Sequence, residues 1–326
     1  MIETPFTRAL GIDAPVVEAP IAPTPELVAA VSSAGGLGLL PITWLDEATV
    51  RAVIRTTHEL TDRPFGVNLV LDQARGHLLD AALEEGVSAV TFFWGNPEPY
   101  LERVHDAGAL ATLTVGSAEE ARRAAAVGAD AVVAQGWEAG GHVRGQVATL
   151  PLVPAVKDAV GPLPVVAAGG VADGRGLAAV LALGADAAWL GTRFIASEEA
   201  PFTNGYKARI ISAIETDTIY TSLFDIGWPD APHRVLHNST TQAWQAAGCP
   251  EHGARPGEAE IIAVSADGTP LPRYGVSEPT VTTTGNLEAL AHYAGQSAAL
   301  IHAVQPAGQI VRELVDEAES ILQRLD

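Results

Sequence analysis

LPVVAAGGVADGRGLAAVLALGADAAWLGTRF, residues 163–194, decides the fold. Leu163 to Ala168 is a short apolar run with β-branched residues, suited to a strand buried on both faces. Leu177, Val180 and Leu181 then recur at helical spacing until Gly184 stops the helix, and Ala187 to Leu190 forms the next buried strand. Glycine follows each strand: Gly169 and Gly170 after the first, Gly191 and then Thr192 after the second. Without a Cβ, backbone N–H groups can approach an anion closely. Either turn alone is explained as a tight strand-to-helix connection. Both together, with the Thr192 hydroxyl beside them, point to the phosphate grip after the last two strands of a (β/α)₈ barrel.

Upstream, the same alternation runs from the start of the chain. Strands are expected at Pro15–Glu18, Leu37–Leu40, Phe65–Leu71, Ala89–Phe93, Leu110–Thr114 and Asp130–Ala134. Helices are expected at Pro25–Ala34, Asp46–Leu60, Arg75–Glu85 and Ser117–Val127, with another ending at Ala107. Gly86, Gly108, Gly128 and Gly184 each end a helix just before a strand, a weak repeat at about one βα unit. Eight strands in about 190 residues predict a closed barrel better than an open sheet. GGLGLL at Gly35–Leu40 looks like a dinucleotide fingerprint, but its glycines precede a strand instead of following one.

After Phe194 the alternation stops and Trp228, Pro229, Pro232, Trp244 and Pro250 accumulate. The expected organisation is a barrel over 1–196, a mainly helical lid or insertion over 197–284, and C-terminal helices over 285–326. Leu287–Val304 and Pro306–Leu325 read as two amphipathic helices. A region placed after the last strand, beside the carboxyl-terminal mouth, serves equally as a structural cap or a substrate cover.

The chain has 326 residues, 48% of them hydrophobic, and a formal charge of −20. That charge argues against nucleic acid or an anionic membrane as a partner. The single cysteine, Cys249, excludes an internal disulfide and a zinc cluster and fits a reducing, cytoplasmic setting. MIETPFTRAL has no signal-peptide core and no later run reaches membrane-spanning length, so a soluble protein is expected. A homodimer is compatible with it.

QGWEAGGHVRG, Gln135 to Gly145, follows the sixth strand at the mouth and gathers Gln135, Glu138, Gly140, Gly141 and His142 in one loop. Histidine titrates nearest neutrality, so His142 is the candidate for removing a proton from a weak carbon acid; a hydrogen-bonded loop histidine is the plain alternative. His233 and His237 lie four apart without a glutamate or third ligand, so no metal is expected.

QGWEAGGH together with AAGGVADGRGLAAVLALGADAAWLGTRF resembles the signature of the nitronate monooxygenase family, formerly 2-nitropropane dioxygenases, which are FMN-dependent (β/α)₈ barrels. RPFGVNLVL at Arg63–Leu71 and HYAGQSAALI at His292–Ile301 are also similar to family stretches. The resemblance implies that His142 is the base and that Asn68, Gln135, Gly140, Trp189, Leu190 and Thr192 contact FMN. It places Gly169, Gly170 and Gly191 at its phosphate. It also implies oxidative denitrification of alkyl nitronates, propionate 3-nitronate among them, with O₂, to a carbonyl compound and nitrite or nitrate. VVEAPIAP lacks the Met-Gln-Gly pattern common in the first strand, and Thr114 stands where some members carry lysine. Flavin-dependent enoyl-[acyl-carrier-protein] reductases and NADH:quinone reductases share the barrel and much of the loop, so an NAD(P)H oxidoreductase is the alternative.

Overall fold

The computed structural model describes residues 2–73 and 76–324. Helix α1 (Pro5–Leu10) precedes strand β1 (Val16–Glu18), which is followed by α2 (Pro25–Ser33), β2 (Leu39–Pro41) and α3 (Glu47–Leu60). Next come β3 (Gly66–Val70), α4 (Gly76–Glu84), β4 (Ala89–Phe93), α5 (Glu98–Asp106), β5 (Leu110–Val115), α6 (Ala118–Ala126) and β6 (Ala131–Gln135). A two-residue strand, β7 (Gly141–His142), leads to α7 (Thr149–Val160), β8 (Val165–Ala168), α8 (Gly174–Ala182), β9 (Ala187–Leu190) and the short α9 (Thr192–Ile195). The helix expected from Arg75 is seen from Gly76, and Arg75 itself lies outside the described residues.

Eight parallel strands run in the order β1-β9-β8-β6-β5-β4-β3-β2. The ring closes through a parallel bridge between Val17 and Leu37, where Glu18 N–H donates to Leu37 O and Leu37 N–H to Val16 O, each at 2.9 Å. This is a (β/α)₈ barrel. Val17, Leu39, Ala89, Val133, Val166 and Ala187 fill its interior, and Phe6 and Leu10 of α1 pack with them. Their sequence neighbours Val16, Leu40, Val90, Val132, Val165 and Ala188 face the helix layer instead. Burial on both faces is why these strands read as unbroken apolar runs.

Two helices escape the sequence pattern. Helix α1 is only six residues long, and α7 carries Pro154 inside it. Proline removes a helical N–H and normally argues for a break, which masks the Leu152, Val153 and Val156 face that α7 buries.

The region after α9 is not mainly helical. It holds α10 (Asn204–Ser212) and α11 (Ser239–Ala246), but also β10 (Thr218–Thr221), β11 (His233–Leu236), β12 (Ile261–Val264), β13 (Pro270–Pro272) and β14 (Thr284–Gly285). These strands form two small three-stranded sheets, β10-β11-β7 and β13-β12-β14. Nor is Leu287–Val304 one helix: only Leu287–Ala289 and Gln296–Leu300 make 3₁₀ turns. Between them the backbone bonds outward, with Leu236 N–H donating to His292 O, Ala294 N–H to Arg234 O and Gln296 N–H to Glu138 O. Those groups are spent on the lid and the β6 loop, so no i to i−4 ladder forms.

Helix α12 (Ala307–Leu322) then returns to the barrel and packs against α2 and α8. It buries Ala307, Ile310, Val311, Leu314 and Ala318, and Glu317 accepts the Gly174 N–H at 2.7 Å. At roughly 1.5–3 kcal/mol per fully buried large apolar side chain, this face anchors the helix. It occupies the eighth outer position, so the lid is an insertion within the last βα unit. Among the described residues no helix is long and apolar enough to cross a membrane.

Candidate active site

The carboxyl ends of the strands open into a cavity of about 570 Å³, a volume typical of cofactor and substrate sites. On one side are the glycine turns. Gly169 and Gly170 follow β8 with φ of 97° and 73°, and a Cβ on Gly169 would lie 3.0 Å from Ala139 Cβ. Left-handed backbone and lack of room both reserve the turn for glycine. Gly191, Thr192 and Trp189 line the same wall. As the first residue of α9, Thr192 has no acceptor for its N–H within the helix, and its hydroxyl oxygen accepts the Gly295 N–H at 2.9 Å. Leu190 is placed differently: its side chain packs into the helix layer and its carbonyl accepts Ala19 N–H, so it does not line the cavity.

Asn68 ends on the cavity from β3, its amide donating to Thr91 Oγ1 at 2.8 Å and Thr91 O at 3.2 Å. Gln135, at the end of β6, donates from Nε2 to the His142 carbonyl at 3.0 Å. Gln135 lines the cavity, and its Oε1 is enclosed without a partner among the described residues. Thr114 also faces the cavity.

The β6 loop is held from three directions. Glu138 does not enter the cavity; its carboxylate accepts the Thr149 N–H at 3.0 and 3.2 Å, where the N-terminus of α7 favours negative charge. Thr149 Oγ1 in turn donates to Gly169 O at 3.1 Å, tying the loop to the glycine turn. Gly140 meets the segment before α12 so closely that a Cβ there would lie 2.4 Å from Gly295 N. Gly141 and His142 then form β7 and pair with Arg234 and His233 of β11. The lid is thus joined to the loop by a sheet.

This leaves His142 half-buried, with its Nε2 enclosed and without a hydrogen-bond partner among the described residues. Its ring lies 4.2 Å from that of Trp228 in a stacked arrangement, 5.3 Å from Tyr293 and 5.4 Å from His233. Burial, and secondarily the neighbouring His233, push its pKa down to about 3. The titration near neutrality expected from the sequence is therefore displaced: the apolar shell disfavours the imidazolium, and the ring is neutral throughout the physiological range. His233 spends both ring nitrogens, Nδ1 donating to Ala231 O at 2.9 Å and Nε2 accepting Phe224 N–H at 3.2 Å. His237 is not beside it in the site.

Trp228, one of the tryptophans marked in the region after the barrel, lines the cavity; Tyr293 and Glu278 line it too and were not singled out in the sequence. Trp94 stacks on Phe93 and meets Trp228 edge-on at 4.8 Å, in a left-handed conformation (φ 47°) uncommon for a bulky residue. Trp244, the other lid tryptophan, lies elsewhere, in the lid core with Nε1 donating to Pro250 O at 3.0 Å. FFWGN, residues 92–96, is a local sign, an aromatic cluster spanning the carboxyl end of β4.

A βα-barrel with glycine turns and the amide side chains of Asn68 and Gln135 around one cavity at its mouth fits a flat, phosphate-bearing cofactor. The class defined is a barrel oxidoreductase. The nitronate monooxygenase family model matches residues 3–80 and 76–317. A nitronate monooxygenase of Pseudomonas aeruginosa is 35% identical over 96% of this chain and 98% of its own. The (3aS,4S,5R,7aS)-5-hydroxy-7a-methyl-1-oxo-octahydro-1H-indene-4-carboxyl-CoA dehydrogenase of Mycobacterium tuberculosis is 38% identical over 74% of this chain and 68% of its own. The solved structure of FabK from Thermotoga maritima superimposes with a TM-score of 0.79 at 34% identity, covering 100% of this chain and 99% of that one. The chain belongs to the nitronate monooxygenase family and is a flavin-dependent oxidoreductase.

Proposed function

We propose that this protein binds FMN and oxidises alkyl nitronates with O₂ to a carbonyl compound and nitrite or nitrate. The observation that carries this reading is His142, a neutral imidazole that lines the cavity together with the glycine turns after β8 and β9 and spends neither ring nitrogen on a hydrogen bond to the described residues. Gly169, Gly170, Gly191 and Thr192 would hold the phosphate. Asn68 and Gln135 would bond the ring or ribityl chain. Bound FMN supplies the redox chemistry, carrying electrons from the nitronate to O₂.

The chain's own residues bind, orient and exclude water. The indole of Trp228 fixes the His142 ring, and the bond from Gln135 to the His142 carbonyl fixes its backbone. Neutral His142 removes the α-proton of a nitroalkane through its unprotonated nitrogen. With a pre-formed nitronate, its N–H donates to a nitronate oxygen. Trp44, Phe93, Trp228 and Tyr293 give the substrate end an aromatic wall. Atoms balance in two ways: one nitronate with one O₂ gives carbonyl and nitrate, and two nitronates with one O₂ give two carbonyls and two nitrites.

The likeness to FabK favours a second reading, an NAD(P)H-dependent flavin reductase. The proposal is tested by incubating the FMN-loaded protein aerobically with propyl-1-nitronate and assaying oxygen uptake, propanal, nitrite and nitrate. Propanal matching the summed nitrite and nitrate is expected. Absence of carbonyl product alongside NADH-driven oxygen uptake would favour the reductase.

A further inference from the structure

Arg234 of β11 is a buried cation: the residue is 2% exposed, and among the described residues no carboxylate accepts a hydrogen bond from it. A guanidinium taken out of water on these terms is costly, so the groups its donors reach indicate its role. Nη2 donates to Trp137 O at 3.1 Å and Nη1 to Thr218 Oγ1 at 3.3 Å, while Nε is enclosed without a partner. The cation lies 4.7 Å from the centre of the Trp137 ring and 5.6 Å from that of Tyr220, wedged between the two aromatic side chains. Tyr220, its cross-strand neighbour on β10, donates in turn to Val143 O at 3.2 Å.

Trp137 and Val143 bracket the stretch of loop that carries His142. Between them lie Gly140 and Gly141, the second left-handed at φ 74°. Glycines give a chain its greatest conformational freedom, and the candidate base follows them immediately. The backbone of Arg234 pairs with Gly141. Its side chain holds residue 137 directly and residue 143 through Tyr220. Resting on the role given to His142 above, we propose that Arg234 is a positioning residue, which locks loop 137–143 to the lid and so fixes His142 where it meets substrate. Arg234 does not itself line the cavity. A base displaced by about 1 Å can lose on the order of 10²-fold in rate, so a clamp outside the cavity still bears on turnover.

Three readouts on the FMN-loaded protein test this. Arg234→Met keeps an unbranched apolar side chain and removes the cation. Amide hydrogen exchange should speed by about tenfold or more in peptides covering 137–143 and stay unchanged in β4 and β9. On 1-nitrobutane, kcat should fall by roughly tenfold or more with KM within about twofold, while butyl-1-nitronate, which needs no proton removed, should lose far less. In a His142→Ala background, Arg234→Met should cost nothing further on 1-nitrobutane, because the two residues act as one unit. If the methionine variant does not fold, Arg234→Lys, which keeps a cation between the rings without the planar fork, is read in the same way. Exchange unchanged in the loop, or raised equally throughout the barrel, would overturn the proposal, as would full additivity of the two substitutions. If neither the nitro compound nor the nitronate is turned over, the nitronate reading fails, while exchange in the loop still decides whether Arg234 holds it.

Discussion

The imidazole of His142, on a loop of the barrel, stacks on the indole of Trp228, supplied by the insertion, with ring centroids 4.2 Å apart and planes at 29°. The pairing of His142 with His233 fixes the same relationship through the backbone. The candidate base is therefore positioned from both sides, by the barrel through Gln135 and by the lid through Trp228 and β11.

Removing the stack separates lid from cofactor. Trp228→Ala should raise KM for nitronates by roughly tenfold while the glycine cradle retains its flavin. Loss of a buried indole should also lower stability by about 3–5 kcal/mol, so the comparison is made well below Tm. Steady-state kinetics at matched flavin content check this, and an unchanged KM would give the lid a structural role only.

Gly191 offers a cleaner test of the cradle than Gly170. Its φ is −102°, and a Cβ there would meet Ala19 at an ordinary 3.4 Å, so Gly191→Leu folds without backbone strain. The rest of the side chain would block approach to the backbone. Folded, colourless protein is expected, measured by circular dichroism and by the visible flavin band. Full flavin content would remove the phosphate from this turn.

His142 sets the pH behaviour. With its pKa pushed down to about 3 by burial, the imidazole is unprotonated from about pH 4 upward. For a neutral nitroalkane, kcat/KM should therefore show no histidine-like rise between pH 6 and 7. His142→Ala should lose roughly 10²-fold or more on nitroalkanes, the usual scale of general base catalysis, and far less on pre-formed nitronates. Equal losses on both substrates at matched flavin occupancy would exclude proton abstraction.

Glu278 links stability to pH. Its folded pKa, about 8, lies above the ordinary carboxylate value of 4.5. The folded state holds this proton while the unfolded chain releases it, so stability falls as pH rises from about 4.5 to 8. Glu278→Gln removes the dependence, and the variant should gain Tm relative to wild type on going from pH 5 to pH 8.5. Parallel thermal melts measure the difference; a pH-independent offset would mean that the carboxyl is not kept protonated by the fold.

The barrel was legible because its determinants are local. Ala89–Phe93 and Ala187–Leu190 are buried on both faces and bounded by glycine, so their limits in the structure match those read from the chain. Helix α7 was hidden by its proline, and Leu287–Val304 misled because apolar spacing does not reveal that its backbone bonds to other segments. The site divides the same way. His142, Gln135 and the glycine turns sit at strand ends and carry local signals. Trp228, Glu278 and Tyr293 come from segments far apart in sequence and are brought together by the fold, in which β11 pairs with β7 and the Tyr206 hydroxyl donates to the Tyr293 carbonyl.

The most direct test of the central claim is anaerobic reduction of the purified, FMN-loaded protein, followed in the visible flavin band. Addition of butyl-1-nitronate should bleach the band, and NADH or NADPH at the same concentration should leave it unchanged over the same time. Bleaching by a nicotinamide with none by any nitronate would contradict the account and place this chain among the reductases of its fold.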